Sequence, residues 1–105
     1  MQSANLRVHR KLWTGRSEAF EYIVYLDGSK IGTLRNGAVA DFKVNGGHHE
    51  IQLKIPWGGG SSETLSFSIE GDTLVAFECE PYFLENVGRL FDRKRPAIRL
   101  TPVTP

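Results

Sequence analysis

The stretch "VNGGHHEIQLKIPW", residues 44–57, sets two adjacent histidines and a glutamate directly after a glycine turn. It reads either as a metal-binding cluster or as the opening of a strand. The apolar residues decide. Ile51, Leu53 and Ile55 recur at every second position, and side chains alternate faces along a strand, so His49 joins their face while His48 goes with Glu50, Gln52 and Lys54. The two imidazoles then point apart and cannot grip one ion.

The same period of two extends outward in both directions. Phe20 to Leu26 (FEYIVYL) is apolar at nearly every position and rich in β-formers, as in a central strand covered on both faces or packed along a dimer seam. Asp27-Gly28 and Asn36-Gly37 follow at short spacing; these pairs accept the positive φ that tight hairpin turns need, which predicts antiparallel hairpins. Ala38, Ala40, Phe42 and Val44 then face one way, with Val39, Asp41 and Lys43 opposite. Near the N-terminus Leu6, Val8 and Leu12 alternate with Arg7, His9 and Lys11, and Arg10, the exception on the inner face, suggests an edge strand. Pro56 to Ser62, with three glycines, reads as the most flexible loop. Leu65-Phe67-Ile69 and Val75-Phe77-Cys79 add two strands joined at Gly71-Asp72.

Short strands with turn signals at regular spacing predict an all-β antiparallel β-sandwich, immunoglobulin-like in outline. Its expected core takes Leu6 and Val8 from the first strand, Tyr22, Val24 and Leu26 from the second, then Ile31, Phe42, Val44, Ile51, Leu53 and Ile55. Leu65, Phe67, Ile69, Val75 and Phe77 complete it. Beyond Pro81 the period changes: Phe83, Leu84, Val87, Leu90 and Phe91 fall at helical spacing, predicting a short C-terminal amphipathic helix over 82–92. Ala97 to Thr101 is expected to add a last strand, and 101–105 a loose tail.

A chain of 105 residues, with 40% hydrophobic and 24% charged residues, suits a single domain spanning 1–105. The N-terminal residues hold no apolar stretch of signal-peptide length, and no run approaches the ~20 apolar residues that span a bilayer, so a cytoplasmic location is expected. The single Cys79 excludes an internal disulfide and a multi-cysteine zinc site, and its place beside Val75 and Phe77 predicts a buried, inert thiol.

The order Val24-Tyr25-Leu26-Asp27-Gly28, Ile31-Gly32, Val44-Asn45-Gly46-Gly47-His48-His49-Glu50-Ile51 and Leu65-Ser66-Phe67-Ser68-Ile69-Glu70-Gly71-Asp72 resembles small bacterial β-sandwich modules of the PEGA type and their uncharacterised relatives. The resemblance covers residues 20–79 and lies in turn chemistry. Thr33-Leu34 and Asn45-Gly46-Gly47 depart from the family's Thr-Pro pair and Pro-Glu-Gly turn, and residues 80–105 match none of its motifs. What the resemblance implies is a non-catalytic accessory or interaction module.

Function is read from the side chains left over. No serine sits in a Gly-x-Ser-x-Gly elbow, "GGGSS" lacks the ending of a phosphate loop, and Glu78 and Glu80 read as a solvated strand face, so no enzyme is expected and no cofactor. A metal site would have to combine His48 and Glu50 with His9, without a ligand-spacing signature. The alternative for His49 is a ring that caps a backbone carbonyl and covers the core edge. Trp57 and Trp13 are the candidate binding anchors, because exposed tryptophans bury much area at small entropic cost. Arg89, Arg93, Lys94 and Arg95 form a basic segment over 89–95 that could meet anionic lipid at a membrane surface. Arg7-His9-Lys11-Trp13 approximates a nucleic-acid strand face, against which the net charge of +1 argues. The expectation is a non-enzymatic module for a protein partner or self-association, with carbohydrate or anionic-lipid binding as the alternative and the His48/Glu50 metal site third.

Overall fold

A computed structural model describes residues 3–12, 20–58, 60–81 and 98–103. Nine strands run through them: β1 (Ser3–Arg10), β2 (Tyr22–Leu26), β3 (Ser29–Leu34), β4 (Val39–Asn45), β5 (Gly47–Ile55), β6 (Gly60–Ser61), β7 (Leu65–Ile69), β8 (Leu74–Pro81) and β9 (Ile98–Val103). They form two sheets. The first has the order β4-β1-β8-β9, and the second runs β3-β2-β5 with β6 and β7 sharing the far edge of β5. Leu6, Val8, Phe77 and Ile98 of the first sheet and Tyr22, Val24, Ile51 and Leu53 of the second are at most 2% exposed and form one core. Ile31, Phe42, Ile55, Leu65, Phe67 and Val75 pack around it half-buried.

The alternation read from the sequence holds along β1, β2, β4 and β5, whose inward residues are covered and outward ones open. Asp27 (φ 53°) and Gly28 (φ 82°) make the two-residue turn from β2 to β3, as the positive φ of this turn type requires. Four expectations need correction. The sandwich is not wholly antiparallel, because β1 pairs parallel to β8, with Leu6 opposite Val75 and Val8 opposite Phe77. Consequently β1 is central, not an edge. Asn36-Gly37 closes no hairpin: it carries the chain from β3 in one sheet to β4 in the other. β9 runs on to Val103, opposite Ala76, where a loose tail was expected from residue 101.

Pro56–Gly58 and Gly60 to Ser62 form the corner at the end of β5. Pro56–Gly58 form a single 3-10 turn, after which Ser61 pairs with Lys54 and Gly60 with Ile55. Ser62 is buried, and its hydroxyl accepts the Leu53 N–H at 2.9 Å while donating to the Glu63 carbonyl at 2.8 Å. The Ser62 N–H in turn reaches the Leu53 carbonyl at 2.8 Å. One side chain thus completes the ladder of β5 in the gap between β6 and β7.

Arg10, the inward exception, is wholly buried. A charge is tolerated there only when its donors are used. One guanidinium nitrogen donates to the carbonyls of Phe20 (2.5 Å) and Leu34 (3.0 Å), and the group lies 3.7 Å from the centre of the Tyr22 ring. Its inward position therefore reflects a bridge from β1 across to the ends of β2 and β3. The helix expected over 82–92, the basic segment 89–95 and Trp13 lie outside the described residues.

Candidate functional site

The two sheets present different outer faces. On the first, the register sets basic side chains beside acidic ones: Arg7 bonds Asp41 at 2.7 Å, His9 lies 3.5 Å from Glu78, and Glu80 has Lys11 at 3.9 Å and Arg99 at 3.8 Å. Asp41 is held below the usual carboxylate range by its hydrogen bond from Arg7. The basic side chains of Arg7, His9 and Lys11 are therefore each set beside a carboxylate on β4 or β8. Glu80 shares its face with Lys11 and Arg99 and Glu78 lies beside His9, the arrangement of a solvated polar ladder.

The outer face of the second sheet mixes hydroxyls, an amide, two lysines, Ile23 and Tyr25, with His48 and Glu50 farther along β5. Across the strands, Thr33 lies opposite Ile23, Ile23 opposite Lys54 and Lys54 opposite Ser61. One step along, Lys30 faces Tyr25 and Tyr25 faces Gln52. The Lys54 ammonium stands 4.7 Å above the Tyr25 ring, close enough for attraction to its π face. Gln52 donates its amide to the Ser62 carbonyl at 3.1 Å, which fixes its orientation.

At the end of this face stands Trp57, 88% exposed. Its backbone is left-handed (φ 59°, ψ 33°), a conformation that L-residues with a Cβ adopt at a cost of about 1–2 kcal/mol. The indole meets Phe20 edge to face at 6.0 Å. Below it a shallow pocket of 370 Å³ is bounded by Tyr25, Lys54, Ile55 and the 3-10 turn. Sequence reasoning singled out Trp57 but missed Tyr25, Lys54 and Gln52, whose convergence depends on the pairing of β2 with β5. The alternation signal alone would have placed all three outward.

The histidines separate as the period of two requires. His48 and Glu50 face outward on β5 in the second sheet, whereas His9 faces outward on β1 in the first, so the three expected metal ligands do not converge. Among the described residues, no group of three His, Cys, Asp or Glu side chains is placed to hold an ion. His49 instead lies against Phe67, with ring centres 5.7 Å apart, and is hydrogen-bonded at both nitrogens. Nε2 is 2.6 Å from the Asn45 carbonyl and Nδ1 is 2.6 Å from Asp27 Oδ2, while Asp27 Oδ1 accepts the Glu50 N–H at 2.9 Å. A carbonyl can only accept, so Nε2 carries a proton, and the carboxylate favours a second one on Nδ1. The Asp27 bond first and the Asn45 bond second raise the His49 pKa, and the His49 bond lowers that of Asp27.

Cys79 is buried, and desolvation pushes its thiol up to about 12. Such a thiol supplies almost no thiolate at neutral pH. Comparison of the chain with protein-family models, with curated proteins and with solved structures found no match. No helix among the described residues is long and apolar enough to cross a membrane.

Proposed function

We propose that the chain is a non-enzymatic binding module whose contact surface is the Trp57 end of the second sheet's outer face. The observation that carries this reading is Trp57 itself: a large ring 88% exposed on a left-handed backbone. Backbone strain and exposed apolar area each cost stability, and strain persists where the surroundings impose it, most often at sites that meet another molecule. The non-catalytic part rests on the groups an enzyme would use. The outer nitrogen of the Asp27–His49 pair faces a backbone carbonyl, the Ser62 hydroxyl is spent on the ladder, and Cys79 is buried. The turn at Asp27-Gly28 and the Gly-His opening of β5 agree with a PEGA-type accessory module.

The test uses immobilised peptide and glycan arrays, probed with the labelled chain and with Trp57→Ala. Retention by the wild type that the variant loses, with an unchanged melting midpoint, is the expected result. Absence of retention on both arrays at micromolar protein would end the reading. A protein partner or a second copy is the alternative occupant. For self-association the outward face of β2 offers only Ile23 and Tyr25, both already half-covered.

A further inference from the structure

The composition of the Trp57 face is specific enough to name a ligand class. A protein interface concentrates its apolar area at a charge-depleted centre. Here the apolar groups are interrupted: Ile23 is separated from Ser61 by Lys54 in one row across the sheet, and Tyr25 lies between Lys30 and Gln52 in the next. What the face offers is a flat array of single hydrogen-bonding groups beside an exposed indole. A pyranose is the complement of such a surface. Its axial C–H bonds lie on an aromatic ring while its hydroxyls meet hydroxyl, amide and ammonium groups, since tryptophan and tyrosine present an apolar body with a polar tip.

Charge narrows the class further. Among the described residues, Lys54 is the only charged one lining the 370 Å³ pocket beside Trp57, and Lys30 faces Tyr25 from the opposite strand. Alternation places two acids on the same side: Glu50 is one outward position beyond Gln52 on β5, away from Lys54, and Glu21, just before β2, is bonded to Arg35 at 2.9 Å. An ammonium held over a ring at 4.7 Å keeps its full positive charge and so attracts an anion. Building on the binding-module reading, the geometry points to an acidic pyranose glycan, a uronate-bearing polysaccharide, as the occupant: one sugar ring on Trp57, its carboxylate on Lys54 and its hydroxyls toward Tyr25, Gln52 and Ser61.

The test is affinity electrophoresis of the whole chain through gels containing polygalacturonate, alginate, or neutral laminarin and galactomannan, with isothermal titration of uronate oligomers. The expected result is retardation by the uronate polymers, weakening with added salt, and reduced about tenfold or more in affinity by Trp57→Ala and by Lys54→Gln. Both side chains are exposed, so the variants are expected to melt with the wild type, which thermal unfolding checks. Retardation by neutral polymers alone, or retardation that Trp57→Ala leaves intact, overturns the proposal. Peptide retention lost in Trp57→Ala, without retardation by any polysaccharide, overturns the sugar and leaves the binding module standing. No retention of any kind removes both.

Discussion

Nδ1 of His49 lies 2.6 Å from Oδ2 of Asp27, and this contact ties the first residues of β5 to the turn between β2 and β3. The pair works in one direction of pH at each end. The folded His49 pKa is raised above 6.5, so its stabilisation is complete below 6.5 and is lost as pH rises through the raised value. The folded Asp27 pKa is lowered below 3.8, so its contribution is present above 3.8 and is lost as pH falls through the lowered value. A stability plateau between these limits is expected, shrinking in high salt because the Asp27 carboxylate is half-exposed. Melting midpoints across pH, for the wild type and His49→Gln, test this. Identical alkaline limbs in the two proteins would contradict it.

The left-handed backbone at Trp57 makes a second prediction. Trp57→Gly relieves the strain but loosens the unfolded chain, so the two effects offset to within about 1 kcal/mol. Urea unfolding is the measurement. A loss of several kcal/mol would mean that the indole is a structural element of the fold.

Ser62→Ala removes the hydroxyl that accepts the Leu53 N–H inside the protein. Leaving that donor unsatisfied costs about 1–3 kcal/mol. The neighbouring Ser61→Ala, on the outward face, is expected to be near neutral in the same unfolding experiment, so the contrast between the two serines is the readout.

Gly32 is covered by the ring of Phe42, so a Cβ there would sit 2.8 Å from Phe42 Cε1. Gly32→Ala is expected to cost about 1–2 kcal/mol, at the low side of overpacking because the ring is half-exposed and can give way. Combining it with Phe42→Leu would recover part of that loss. Strict additivity of the two changes would show that they do not touch.

Cys79, buried and with its thiol pushed up to about 12, is expected to resist a thiol-exchange reagent in the native protein and to react at once in denaturant. Rapid native labelling would contradict the burial of Cys79.

How much of this was legible follows from the range of each signal. Alternation is local, so it sent His48 and His49 to opposite faces and placed Tyr22, Ile51 and Phe77 in the core. Turn chemistry is also local: Gly37 has the positive φ of 76° that Asn-Gly promises, yet nothing in the dipeptide says whether the next strand joins the same sheet. Arg10 misled because a cation on an inner face suggests an edge, whereas its partners, the Phe20 and Leu34 carbonyls, are remote in sequence. The Asp27–His49 contact was hidden for the same reason. The hydroxyl of Ser62 was masked by the glycines before it, which read as flexibility. At the candidate site Trp57 was found from its residue type, and its neighbours were not, because they gather only through strand pairing.

The parallel pairing of β1 with β8 joins residues 5–10 to residues 74–79. A ribosome releases the first of these well before the second, so β1 waits, half its ladder empty, until β8 has been made. The four-stranded sheet is then zipped from its middle only once β8 is available, a closure of high contact order. Any shortening that removes β1 would split that sheet between β4 and β8, not trim it at a border.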